Sequence, residues 1–181
     1  GVDALIIQDM AILKMNLPPI PLHASTQCNN DSIEKIKFLE KCNLERVVLP
    51  REFSLKEIED AKNSTNVELE VFIHGALCVC YSGQCYLSAS VGGRSANRGE
   101  CAQPCRKKYS VVTKDGKILA KPQYLLSMKD FSMAKHLKRL IEIGVDSLKI
   151  EGRLKDENYV KNVVSYYRNL IDSINPALRP S

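Results

Sequence analysis

The sequence predicts an α/β fold: part of a (β/α)8 barrel of the TIM type, with its N-terminal units missing and a Cys/Gly-rich insertion. Three observations predict it. Short apolar runs alternate with stretches of helical period. The runs begin near residues 22, 46 and 68, a spacing of about 23 that marks successive β/α units on a parallel sheet. Each run ends in polar residues, where barrels and open α/β sheets keep their sites.

The first run is Ala4–Gln8, and the second, Leu22–Ser25, is entered through Pro18, Pro19 and Pro21. Asp31-Ser-Ile-Glu34 has the arrangement of a capping box and opens a helix to about Cys42, with Ile33, Ile36 and Leu39 as its apolar stripe. Arg46–Leu49 is a strand, and Ser54-Leu-Lys-Glu57 caps a helix to about Asn63. Glu68–Ile73 is the next strand, running into His74-Gly75. The period then breaks for residues 75–128, a Cys/Gly-rich stretch with a hairpin expected at Asp115-Gly116. A helix is expected from about Asp130 to Ile143, stopped by Gly144. Ser147–Ile150 is a strand, and a final helix runs from about Asp156 to Ile174. The expected organisation is thus 1–74 as β/α units, 75–128 as the insertion and 129–181 as closing units. A complete barrel takes about 250 residues, so five units plus an insertion read as a piece of a longer protein. An open doubly wound sheet is the alternative, but no Gly-rich phosphate loop follows a strand.

The chain has 181 residues, of which 44% are hydrophobic and 26% charged, the balance of an ordinary globular domain. That composition excludes long disorder and collagen-like repeats. No run approaches the ~18 apolar residues of a membrane span. The N-terminus lacks a signal peptide's pattern, so a cytoplasmic protein is expected. The net charge is +5, and Arg94, Arg98, Arg106, Lys107 and Lys108 face only Glu100 within one segment. That cluster is a candidate phosphate-binding surface.

The seven cysteines are odd in number, which argues against a secreted disulfide framework. Five of them fall within residues 78–105. Cys78 and Cys85, then Cys101 and Cys105, are spaced as ligands among glycines that let the backbone curl around a centre. Four thiolates can hold an iron–sulfur cluster or a structural zinc. The Cys78/Cys85 spacing is wide for zinc, which makes zinc the runner-up. Cys42 reads as core packing, Cys28 is ambiguous, and Cys80 reads as a spare turned away from Cys78.

The strand ends gather Gln8, Asp9, His23, Ser25, Thr26, Gln27, Arg51, Glu52, His74, Glu151 and Arg153 at one rim. Thr26 and Glu52 suit helix capping. The remaining histidines, arginines, amides and carboxylates exceed what capping requires.

Several motifs then point together. They are His74-Gly-Ala-Leu-Cys78, Tyr81-Ser-Gly-Gln-Cys85, Gly93-Arg-Ser-Ala-Asn-Arg-Gly99, Cys101-Ala-Gln-Pro-Cys105-Arg106, Leu126-Ser-Met-Lys-Asp130 and Ser147-Leu-Lys-Ile-Glu-Gly-Arg153. Together they resemble the collagenase-like U-32 peptidase family, nearly end to end. The resemblance implies a (β/α) barrel with about two units before Gly1 and a region beyond Ser181. It also implies oxygen-independent hydroxylation with a 4Fe–4S cluster, on the branch that acts on a ribosomal RNA cytidine and draws its hydroxyl from a prephenate-like molecule. On this branch Cys78, Cys85, Cys101 and Cys105 would be the cluster ligands. Several relatives carry a further Cys where Ser132 stands here.

The roles that follow are expectations. His23, His74, Glu151 and Arg153 would handle protons and the donor's carboxylate. Gln27 and Arg51 would bind substrate, and Arg94, Arg98 and Arg106 the phosphates of ribosomal RNA or its precursor. The target base would leave its stack to reach the rim. Two rivals remain: a peptidase using Cys28 with His23 or His74, and a zinc-stabilised RNA-binding module. The piece alone is expected to be inactive, and its open sheet edges could produce an artefactual dimer.

Overall fold

The computed structural model describes residues 1–178. A mostly parallel sheet carries helices on one face, and its first four strands lie in chain order. Strands β1 (Leu5–Ile7), β2 (Leu22–Ala24), β3 (Arg46–Val48) and β4 (Glu68–Ala76) lie side by side in parallel. Helix α1 (Ile33–Lys41) joins β2 to β3, and α2 (Leu55–Ser64) joins β3 to β4. The insertion holds a short helix α3 (Leu87–Gly92) and a separate hairpin, β5 (Tyr109–Val112) with β6 (Ile118–Gln123). Strand β7 (Asp130–Ser132) pairs antiparallel with the end of β4. After α4 (Leu137–Ile143), β8 (Ser147–Glu151) pairs in parallel along β4, and α5 (Glu157–Ile174) follows.

Local chemistry sets most of these bounds. Ser54 and Glu57 form the expected reciprocal capping box. At α1 the cap is Ser32, which accepts from Lys35 N, while Asp31 instead pairs with Lys35 at 2.6 Å. Asp156 caps α5 through Tyr159 N, and Gly144 ends α4 in the left-handed region. The hairpin turns at Gly116, with φ +86°.

The helix expected from Asp130 needs correction. Its first three residues form β7, because the backbone of His74–Ala76 takes up their hydrogen bonds. Met133 N donates to Ile73 O at 2.8 Å and holds the strand in place. A 3-10 turn over Ala134–His136 then leads into α4.

Strand alternation divides the sheet into two unlike faces. On one face Ile7, Ala24, Val47, Leu49, Leu69, Val71 and Ile73 form the core with Ile36, Leu39, Ile58, Ala61, Leu137, Leu140 and Tyr167 from the helices. The other face carries charge. Arg46 Nε donates to Glu68 at 2.8 Å, and Glu70 accepts from Lys149 Nζ at 2.6 Å and Ser147 Oγ at 2.8 Å.

Burial opposes ionisation of Glu70. The hydrogen bonds from Lys149 and Ser147, with the charges of Lys149 and Arg46, outweigh it and hold the carboxyl below the usual range. A lowered folded-state pKa stabilises the fold above the unfolded value, near pH 4.3, and that contribution is lost as pH falls through the folded value. Glu70→Gln is therefore expected to cost about 2–3 kcal/mol at pH 7 and to flatten the decline below about pH 4, as read from urea melts across that range.

Candidate cluster and substrate site

Beyond the carboxyl ends of the strands, the insertion folds back over the charged face and forms with it a partly open cavity of about 270 Å³. Its walls include Cys78, Cys80, Cys85, Cys101 and Cys105 together with Gln27, Arg51, Phe72, Arg106, Lys149, Glu151 and Arg153. The loop is pinned to the sheet and its connections at several points. Ser82 donates to Glu52 through N at 2.7 Å and Oγ at 3.0 Å. Gln84 Nε2 donates to Asn29 Oδ1 at 2.7 Å. Gln27 Nε2 donates to Ala96 O at 2.7 Å, so this residue positions the loop.

Within the loop, Cys85 N donates to Asn97 Oδ1 at 2.9 Å. The buried Ser88 accepts from Ala102 N at 3.0 Å and lies 3.9 Å from Cys101 Sγ, which also accepts from Gln103 N at 3.3 Å. Burial pushes the Cys78 thiol up, and the neighbouring thiols add to it while Arg51 pulls it back. Burial raises Cys105 likewise, opposed by Arg106. Cys80 is raised by burial and by its contact with Cys85. A sulfur guest-holder must shed these protons when it binds a cation. Cys80, expected to turn away, thus belongs to the same cavity. Among the described residues, no three Cys, His, Asp or Glu side chains converge at the spacing of a single metal ion.

Arg51 is the most constrained charge in the site, its side chain only 8% exposed. Nη2 donates to Glu151 Oε2 at 2.9 Å, and the guanidinium lies 3.6 Å from the centre of the Phe72 ring. Glu151 Oε1 accepts from Arg153 N at 3.1 Å, and Arg153 Nη2 reaches Cys101 O at 3.1 Å. Arg106 holds the loop from the other side: Nη2 donates to Leu77 O at 2.7 Å and Nη1 to Ser127 Oγ at 2.9 Å.

The description of peptidase family U32 matches residues 1–180. The chain belongs to this family. It is 51% identical to the 23S rRNA 5-hydroxycytidine C2501 synthase of Escherichia coli, over 96% of this chain and 27% of that protein. It is 39% identical to the tRNA hydroxylation protein P1 of Bacillus subtilis, over 96% of this chain and 43% of the relative. It is 33% identical to a collagenase of Porphyromonas gingivalis, over 95% of this chain and 45% of the relative. The U32 chain described here thus spans about a quarter to a half of these curated relatives. No solved structure matches it.

Four of the expected site residues lie elsewhere in this U32 chain. His23 is buried within β2, 4.0 Å from Glu45, and burial with the Arg46 charge holds its pKa down. His74 turns to α5, where Nδ1 sits 3.3 Å from Tyr167 Oη. Neither ring lines the cavity. Arg94 and Arg98 are exposed and also outside it. The Cys28 thiol has Ile7 O and Gln8 O within hydrogen-bonding distance, burial pushes its pKa up, and among the described residues it is hydrogen-bonded to neither histidine; that is a packed thiol and not an activated nucleophile. Two wall residues escaped the sequence reading. Lys149 was legible, since it shares a strand face with Glu151 two residues on. Phe72 carried no signal, because an aromatic in a strand reads as core.

Among the described residues, no helix is long and apolar enough to cross a membrane.

Proposed function

We propose that this chain is the cluster- and substrate-holding part of an RNA-base hydroxylase acting on a cytidine of ribosomal RNA. One observation carries the reading: five cysteines share a cavity with Arg51, Arg106, Lys149, Arg153 and Glu151. The names of the rRNA and tRNA relatives support the RNA substrate.

The donor set fits a 4Fe–4S cluster held by Cys78, Cys85, Cys101 and Cys105. A zinc ion would draw four sulfurs to within about 3.8 Å of one another. A cluster spreads its thiolates over four irons, and thiols from separate points of the insertion that line one cavity suit it. When bound, the cluster supplies electron-transfer chemistry that needs no molecular oxygen.

The chain's own residues do the rest. Arg51 and Arg153 bind the carboxylate of a prephenate-like donor, for which the guanidinium fork is suited. Glu151 orients both, accepting from Arg51 Nη2 and Arg153 N. Phe72 backs Arg51 and keeps water from its inner face. The target base enters the cavity from an unstacked position. The parallel strands β1 to β4 and β8 follow one another in chain order, which supports reading the sheet as part of a (β/α)8 barrel completed by other units of the full-length protein. A protein acting on ribosomal RNA in this way is expected in the cytoplasm.

Mass spectrometry of ribosomal RNA tests this reading. Cells lacking the gene are expected to lose a hydroxyl increment on one cytidine. The wild-type gene restores it, and Arg51→Met does not. Unchanged RNA in the deletion strain refutes the reading.

A further inference from the structure

The hairpin of β5 and β6 stands apart from the main sheet and is exposed along nearly its whole length. Two strands of four and six residues bury too little to be stable alone. This ribbon is nevertheless fixed at its base. Tyr109 Oη donates to Pro104 O at 2.8 Å, beside Cys105. Arg106 clamps the returning strand's exit through Ser127 Oγ and Met128 O. The arm is therefore rooted in the cavity wall and extends about 20 Å from it.

Its charge is one-sided. Lys107, Lys108, Lys114, Lys117 and Lys121 face a single acid, Asp115, and all five lysines are exposed. None of the five is held in an ion pair among the described residues. Asp115 is engaged by Thr113, whose hydrogen bond lowers its pKa. Tyr124 follows β6 and is 60% exposed, and Lys108 Nζ lies 5.4 Å from the ring centre. Cations interleaved with an open aromatic face suit unpaired nucleic acid, whose phosphates meet the lysines while a base stacks on the ring. A paired A-form helix has a deep, narrow major groove that closes against such a ribbon.

We infer that the β5–β6 ribbon is an RNA-binding arm that holds a single-stranded segment beside the target base and leads it to the cysteine-lined cavity. This rests on the RNA reading above and adds a surface to it: the charge expected to meet phosphate lay at Arg94–Lys108, and the arm extends beyond that segment.

The test uses the full-length protein and a fluorescein-labelled single-stranded RNA oligonucleotide, with binding measured by anisotropy over a range of salt. The combined variant Lys108→Gln, Lys114→Gln, Lys117→Gln, Lys121→Gln is expected to bind at least about tenfold more weakly. Its plot of log affinity against log salt should be shallower by about 2 to 3. Tyr124→Ala is expected to lose about tenfold in affinity with the salt slope unchanged, since it removes stacking and no charge. Both variants keep Tyr109 and Arg106, and matching thermal melts confirm that the fold is intact. A quadruple variant with parental affinity and slope overturns the arm while leaving the RNA reading in place. A parent that binds no RNA overturns both.

Discussion

With the proposed 4Fe–4S cluster, replacing Cys78 by Ser in the full-length protein is expected to abolish broad visible absorbance and to lower iron from about four per chain to below one. Cys105→Ser is expected to do the same. The reason is geometric: both thiols line the one cavity, and a cluster deprived of one thiolate exposes an iron to solvent and is lost. Cys42 offers the control. It is the C-cap of α1, away from the cavity, and Cys42→Ser should keep the full iron content. Cys80→Ser is the sharpest member of the series, because Cys80 shares the cavity and contacts Cys85. Retention of iron in Cys80→Ser with loss in Cys105→Ser supports the proposed four ligands. The reverse result replaces Cys105 by Cys80 in the set. A colourless wild-type protein carrying one zinc would remove the cluster altogether, and chemical analysis of iron, sulfide and zinc reads all these outcomes.

Gly75→Ala is expected to be the most damaging single substitution in the sheet. Gly75 has φ +118°, a conformation that an L side chain rarely adopts. An added Cβ would lie 2.7 Å from Glu151 Cβ and closer still to the Glu151 carbonyl oxygen. Both obstacles belong to β8, which is paired with β4 at this point, so neither can yield without opening the sheet. Backbone strain and overpacking together should cost about 4 kcal/mol. In a domain of this size that lowers Tm by roughly 8–16 °C. Glu151 also holds Arg51, so the variant should lose the proposed RNA hydroxylation even at temperatures where it remains folded. A melt within a few degrees of wild type would show that the two strands can separate here at little cost.

The fate of the two histidines shows where reading along the chain stops. By strict alternation His74 shares a face with Glu70 and Phe72 and should enter the cavity. The pairing of β4 with β8 shifts register between Phe72 and His74, and this irregularity turns the ring to Tyr167 and Tyr159. A bulge is decided by the partner strand, and nothing in Val71-Phe-Ile-His-Gly75 announces it. His23 failed for a different reason. It sits mid-strand in β2, where Arg46, Glu68 and Glu70 surround it from neighbouring strands, and so it lies below the rim.

Local chemistry was legible without the fold. The caps at Ser54, Asp156 and Gly144, the hairpin turn at Gly116 and the order of strands and helices rest on interactions within a few residues of one another. The cysteine-bearing loop was legible too, since its glycines and thiols crowd a short stretch of sequence. Only the tertiary structure decided that Asp130–Ser132 would be a strand, that Cys80 would join the other thiols, and that Arg51 would be buried between Phe72 and Glu151. Each of these depends on a contact between distant segments, whose free energy exists only after the chain has closed the loop between them.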